Sequence, residues 1–164
     1  IPLRLVGSEM CIRDSCDAAK LSKQHGKKAE YALCASQWHK TLSYTDAFFK
    51  DGMTYDADFK KAFGYAPPYQ AAESSAALLV FKDAFERAND FDTKKVRNAL
   101  AKTDMQTFYG NIKFAKGGQN VSKPMVLFQV ICNSDGSKCE NKVVAPTKWA
   151  SAKLVHPTPS WSKR

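Results

Sequence analysis

A chain of 164 residues, 44% hydrophobic and 25% charged, has the composition of one ordinary globular domain, which excludes collagen-like and disordered classes. Its longest apolar runs, Ala76 to Phe81 and Met125 to Cys132, fall far short of the ~20 residues that a bilayer-spanning helix needs. The formal net charge is +9, yet beyond Lys20, Lys23, Lys27 and Lys28 the cations are scattered and no zinc-finger, RNA-recognition or helix-turn-helix signature accompanies them, so the charge reads as solvated surface and no nucleic acid is expected.

Residues 1–15 lack a starting Met and carry neither a basic-then-apolar signal peptide nor a sustained helical period. The run from Leu5 to Asp14 resembles the peptide produced when sequencing-adapter reads are translated inside assembled contigs. Residues 1–15 are therefore set aside as an artefactual leader. Fold reasoning begins at residue 16, and the genuine N-terminal part, with any export signal, is expected to be missing.

Asp17 to Gln24 reads as the end of an amphipathic helix stopped by Gly26, and Lys27-Lys28 lead into an apolar strand over Ala29 to Ala35. Such a junction belongs to an α/β layer. Beyond Trp38-His39, short helical pieces are predicted at Thr45 to Phe49 and Tyr55 to Phe63, the latter broken by Gly64 and Pro67-Pro68. The prolines open the strongest element, a helix from about Tyr69 to Asn89 with no internal Gly or Pro. At 1.5 Å per residue it is about 30 Å long. Ala77, Leu78, Phe81, Ala84, Phe85 and Ala88 recur at helical spacing, and Ala76, Leu79 and Val80 widen the stripe, which predicts cover from a sheet and from neighbouring helices. One neighbour follows at once: Asp92 or Thr93 caps a helix with Val96, Ala99 and Leu100 facing inward.

From Thr107 the period changes, and Thr107 to Phe114 alternates like a strand interrupted by a turn, ending at Gly117-Gly118. Met125 to Ile131 and Val143 to Ala145 are further strands, and the Pro-rich tail from Val155 to Arg164 is extended. Cys132 and Cys139 flank a turn-rich segment between strands, so their side chains can face each other across a hairpin. They are disulfide candidates; two free thiols are the alternative.

Signatures for chemistry are absent: no Gly-x-Ser-x-Gly elbow, no phosphate-binding or dinucleotide glycine loop and no His-Glu-x-x-His. His25, His39 and His156 stand far apart, so no metal and no cofactor is expected. Cys34 and His39 can be paired as nucleophile and base, but Cys34 in an apolar strand reads more simply as an inert core thiol. A binding surface remains. Trp38 follows a strand end, where ligand crevices of α/β sheets form. Tyr69, Gln70 and Glu73 occupy the first turn of the long helix, where free N–H groups and the positive helix end favour a carboxylate. Each has a plainer reading: Glu73 complements the helix dipole, and Trp38 fills a hinge.

The series Gln37-Trp38-His39, Leu42-Ser43-Tyr44, Phe63-Gly64-Tyr65, Pro68-Tyr69-Gln70-Ala71-Ala72-Glu73-Ser74-Ser75-Ala76-Ala77 and Ala84-Phe85-Glu86-Arg87-Ala88 resembles the C-terminal portion of type I periplasmic binding proteins of the Leu/Ile/Val-binding family. The likeness continues through Lys95-Val96-Arg97-Asn98-Ala99-Leu100, Thr107 to Phe114, Gly118-Gln119-Asn120, Val144-Ala145-Pro146 and Pro157-Thr158-Pro159-Ser160-Trp161, so it spans roughly residues 16–164. It implies an α/β chain, part of a two-lobed type I fold with Rossmann-like lobes, with helices on an incomplete sheet, a C-terminal β-hairpin and pieces of both lobes. It also implies a non-enzymatic role: a periplasmic component of an ABC importer traps a small amino-acid-like ligand by hinge closure and delivers it to a membrane permease, as a monomer when full length. A ligand-sensing receptor of the same fold, and a small Cys/His enzyme, are the alternatives. Cleft positions in such proteins make Trp38, Tyr69, Gln70 and Glu73 the ligand-binding candidates. Where relatives that bind branched-chain amino acids place an aromatic along the early helix, Ser74 and Ser75 stand here, a departure from a leucine-type pocket.

Overall fold

The computed structural model describes residues 18–163. The leader, the expected helix start at Asp17 and the final Arg164 lie outside them. In chain order the elements are α1 (Ala18–His25), β1 (Leu33–Ser36), β2 (Thr45–Asp46), β3 (Lys50–Asp51), α2 (Gly52–Phe63), α3 (Tyr69–Ala88), α4 (Thr93–Leu100), β4 (Asp104–Thr107), β5 (Gly110–Lys113), β6 (Val126–Cys132) and β7 (Cys139–Ala145). The architecture is α/β. The chain divides into two compact units, one formed by Gln37–Met125 and the other by the segments on either side of it. No helix of the described residues is long and apolar enough to cross a membrane.

In the flanking unit, β1, β6 and β7 form an antiparallel sheet with β6 in the centre. Cys34 lies opposite Phe128, and Cys34, Val126, Phe128, Val130 and Val143 are buried. The strand expected from Ala29 starts only at Leu33. Gly26, at φ 57°, turns the chain into a 3-10 turn over Gly26–Ala29, and Tyr31, at φ 69°, breaks the extended path before β1. Gln129 is fully buried on the central strand. Its amide nitrogen donates to the carbonyls of Tyr31 and Val155, both at 3.2 Å, and its oxygen accepts from the Val155 N–H at 2.9 Å. A buried amide thus satisfies itself by stapling the C-terminal segment to the sheet. The tail departs from the expected extended run by ending in a 3-10 turn, Trp161–Lys163.

Cys132 and Cys139 are register partners at the end of the β6–β7 hairpin, and they form a disulfide. Closing so short a loop stabilises by about 2.5 kcal/mol in the chain-entropy model. Asn133 organises the tip, its side-chain oxygen accepting from the Lys138 N–H at 3.0 Å and its amide meeting Ser137 Oγ at 2.9 Å. Cys34 is also disulfide-bonded, which corrects its reading as a core thiol.

In the unit of Gln37–Met125, a small β2–β3 hairpin replaces the helical piece expected at Thr45 to Phe49. Asp46 explains the change. One of its carboxylate oxygens accepts from the N–H groups of Phe48 and Phe49, at 2.8 and 2.6 Å, a turn that competes with helix, and the other accepts from the Phe108 N–H at 2.6 Å. α2 is capped by Asp51, which accepts from the Thr54 N–H at 2.8 Å, and ends at Gly64 in the left-handed region. Asp56 on this helix is buried and receives Lys60 at 2.7 Å and Lys40 at 3.1 Å. Burial alone would raise its carboxyl, but the hydrogen bonds and charges of the two lysines outweigh it and hold the group below the ordinary carboxylate value. A depressed folded value stabilises above the unfolded one and loses that contribution as pH falls through the folded one. Asp56→Asn should therefore cost about 1–2 kcal/mol at neutral pH, because both lysines keep partial access to water, and the difference should vanish in acid below the ordinary carboxylate range. Urea titrations of both proteins across that window measure it; a difference independent of pH would refute the assignment.

The long helix has the expected extent but not the expected inner face. Ala72, Ala76, Val80 and Ala84 are buried, whereas Leu78 is 70%, Phe81 46% and Phe85 38% exposed. The row of small residues lets neighbouring elements approach closely, α4 among them at the later half of the helix, and the large side chains fall on a neighbouring face that the two short hairpins of this unit do not cover. Arg87 clamps the pair, donating to the Ala99 carbonyl at 2.8 Å and to Thr103 Oγ at 3.1 Å while paired with Asp83 at 2.6 Å. Asp92 caps α4 through the N–H groups of Lys94 and Lys95, and Val96 and Ala99 face inward. The unit's core is a ring cluster around Phe108, which is fully buried, with Tyr55, Phe49 and Trp38 centred 4.3, 5.0 and 6.1 Å away.

Candidate functional site

Pro68 precedes α3 in an extended conformation and offers no side-chain cap. The N–H groups of Ala71 and Ala72 both reach its carbonyl, at 3.0 and 3.4 Å, which leaves those of Tyr69 and Gln70 without an intrahelical acceptor. Tyr69 is half-buried, and Gln70 and Glu73 are exposed. Ser75, on the next turn, meets the Tyr55 hydroxyl at 3.0 Å and ties the start of the helix to the ring cluster.

Facing this turn is Tyr109, buried at the β4–β5 corner. Burial pushes its phenol well above the ordinary tyrosine value, and the charges of Glu73 and Tyr69 add to the effect. Lys123 lies over its ring, with Nζ 4.1 Å from the centroid. The lysine stem runs across Gly110, where a Cβ would come within 2.4 Å of Lys123 Cδ. Burial pulls the Lys123 ammonium down to about 8 against the opposing charge of Glu73, and Nζ is buried with no hydrogen-bond partner.

From Glu73 and Tyr109 a groove of about 540 Å³ runs between α3, α4 and β5 with its following loop. This is within the ~300–1,000 Å³ range of ligand clefts. Its walls are apolar, built from Ala77, Val80, Phe81, Leu100, Ile112 and Phe114. Arg97 and Lys116 also line it.

Of the residues predicted from sequence, Tyr69, Gln70 and Glu73 share one helix turn, and Tyr69 and Glu73 both act on Tyr109. Trp38 is elsewhere in the unit, 5% exposed and edge-on to Tyr55 and Phe108. Tyr109 and Lys123 were missed. An aromatic pair before Gly110 hinted at the first; nothing local marks Lys123, whose burial comes from its seat on Gly110. Among the described residues no group of three or more His, Cys, Asp or Glu is placed to hold a metal ion. His39 Nδ1 is 2.8 Å from Thr41 Oγ. Since Cys34 is in a disulfide, the pair imagined as nucleophile and base has no thiol.

Residues 11–137 match the sequence model of a family described as periplasmic binding protein, and residues 11–15 of that match fall inside the stretch set aside as a leader. The fold is similar to that of the leucine-binding protein LivK from Thermotoga maritima, with a TM-score of 0.58 and 22% identity over 82% of this chain. A second solved structure, the branched-chain amino acid transporter substrate-binding protein LivJ from Streptococcus pneumoniae in complex with isoleucine, gives a TM-score of 0.48 and 14% identity over 68% of this chain. This chain spans 37% of the first protein and 30% of the second.

Proposed function

This chain belongs to the periplasmic binding protein family, whose members bind solutes and are not enzymes, and from that premise we propose that it is part of the receptor of an ABC importer. Its ligand is a small amino-acid-like molecule, captured outside the cytoplasm by hinge closure in the full-length monomer and passed to a membrane permease. The two compact units are read as pieces of the two lobes.

One observation carries the ligand assignment: Glu73 stands one turn into α3, beside the free N–H groups of Tyr69 and Gln70, at the mouth of an apolar groove. An α-amino acid offers a match for each part. Its ammonium pairs with Glu73, its carboxylate takes the N–H groups at the positive helix end, and its side chain enters the groove beside Ala77. Tyr69 and Gln70 flank the carboxylate, and Trp38 supports the site from behind through Phe108 and Tyr55. LivK and LivJ, named for leucine and branched-chain amino acids, are consistent with this chemistry.

A thermal-shift screen of amino acids and their amides on the full chain identifies the ligand, since 100 Kd of a ligand specific for the folded state stabilises by about 2.7 kcal/mol. Glu73→Gln should then weaken that ligand about tenfold, the low end for a charge-assisted hydrogen bond because the site is open to water. Calorimetric titration showing equal affinity for both proteins would remove Glu73 from the site.

A further inference from the structure

The positive charge that looks scattered along the sequence is not shared evenly by the two units. In Gln37–Met125 much of it is answered within the unit: Asp56 receives Lys40 and Lys60, Glu86 pairs with Lys82, Asp83 with Arg87 and Asp104 with Lys113. In the flanking unit the acids among the described residues are Glu30, Asp135 and Glu140, and every arginine-or-lysine position there is a lysine. Glu30 is buried and accepts from the Cys132 N–H, and Glu140 is already shared by Lys138 and Lys142. Lys23, Lys27 and Lys28 have no ion-pair partner among the described residues.

The fold gathers these charges. Lys20 and Lys23 are exposed and stand three positions apart on α1, which puts them on one face, and Lys27 and Lys28 follow on the 3-10 turn. That turn is fixed by the hairpin tip. Lys27 Nζ donates to the Ser134 carbonyl at 2.8 Å, a neutral acceptor that leaves the charge in place, and a Cβ at Gly136 would come within 2.8 Å of Lys27 Cβ. The helix dipole accounts for Lys23 in the last turn of α1 but not for two lysines beyond its end.

We propose that this lysine face, α1 with the Gly26–Ala29 turn, rests on an anionic phospholipid bilayer. Lysine suits such a partner, because a hydrated ammonium is drawn by the surface potential without any fixed geometry, at about fivefold in binding for each lysine near the surface. Nucleic-acid phosphates and folded acidic proteins are better met by the guanidinium fork, and the described residues of this unit contain no arginine. For a receptor that hands its solute to a permease, attraction to the bilayer confines the search for that permease to the surface. The ligand reading concerns the other unit, and this inference stands apart from it.

Co-sedimentation of the full chain with vesicles of phosphatidylcholine alone, and of phosphatidylcholine with about 30% phosphatidylglycerol, tests it. The anionic vesicles should bind at least tenfold more tightly, and the difference should disappear as salt rises from about 0.05 to 0.5 M. Lys23→Gln with Lys28→Gln should weaken that binding at least tenfold. Lys94→Gln with Lys102→Gln removes the same charge from exposed lysines of the other unit and should leave it within about twofold. Unchanged melting temperatures show that both double variants fold. Equal binding to the two kinds of vesicle, or an equal loss in the two variants, would overturn the proposal. So would retention on double-stranded DNA, abolished by the Lys23 and Lys28 substitutions, in a chain that ignores the vesicles.

Discussion

Phe108→Ala is expected to destabilise the Gln37–Met125 unit by about 3–5 kcal/mol, a large part of the ~5–15 kcal/mol that holds an ordinary domain together. The residue is fully buried, and its ring is shared by Tyr55, Phe49 and Trp38, so removal opens a cavity that three large side chains must close. They have little freedom to do so. Trp38 is edge-on to Tyr55 at 89°, and Tyr55 is tied through its hydroxyl to Ser75. The backbone staple from the Phe108 N–H to Asp46 survives the substitution, so the loss reports packing alone. Urea unfolding followed by near-ultraviolet circular dichroism, sensitive to the rings themselves, measures it. Phe91→Ala is the control: at 88% exposure Phe91 should change stability by less than about 0.5 kcal/mol. Equal effects at the two positions would mean that the ring cluster is not the core of this unit.

The long helix was legible because a run of 20 residues without Gly or Pro, opened by Pro67-Pro68, leaves few alternatives to helix. The same clarity misled about its face. Leu78, Phe81 and Phe85 carry the hydrophobic signal, but Ala72, Ala76 and Ala84 are the buried positions, since close approach of neighbouring elements depends on small size, which a hydrophobicity pattern does not register. At Thr45 to Phe49 a short helical piece was expected, and a single carboxylate redirected the chain: Asp46 takes two local N–H groups and one from Phe108, 62 positions away. Local propensity carries no record of that last bond. The candidate site divides in the same way. Tyr69, Gln70 and Glu73 could be found from helix-start chemistry, whereas Tyr109 and Lys123 become a pair only when the β4–β5 corner and the segment after it fold over one another.

That pair makes Gly110 the most constrained glycine of the site, and Gly110→Ala is expected to cost about 2–4 kcal/mol. Two effects add. At φ 148° the backbone lies where L side chains are strained, worth about 1–3 kcal/mol. The new Cβ would meet Lys123 Cδ and Cε at 2.4 and 2.6 Å, so the lysine must leave Tyr109 and forfeit a cation–π contact of roughly 0.5–2 kcal/mol. A pH series separates the effects. Lys123 is held near 8 by burial when folded and returns to about 10.4 when unfolded. Between these values the unfolded chain binds more protons, so wild-type stability should rise with pH across that window relative to Lys123→Met. In Gly110→Ala the displaced, solvated lysine regains its ordinary value and the rise should disappear. Strain alone would lower the stability curve uniformly and leave the rise in place, which would show that Lys123 does not lie on Gly110. The three proteins therefore need to be unfolded in urea at several pH values from 7 to 11, and the slope, not the midpoint at one pH, decides between the causes.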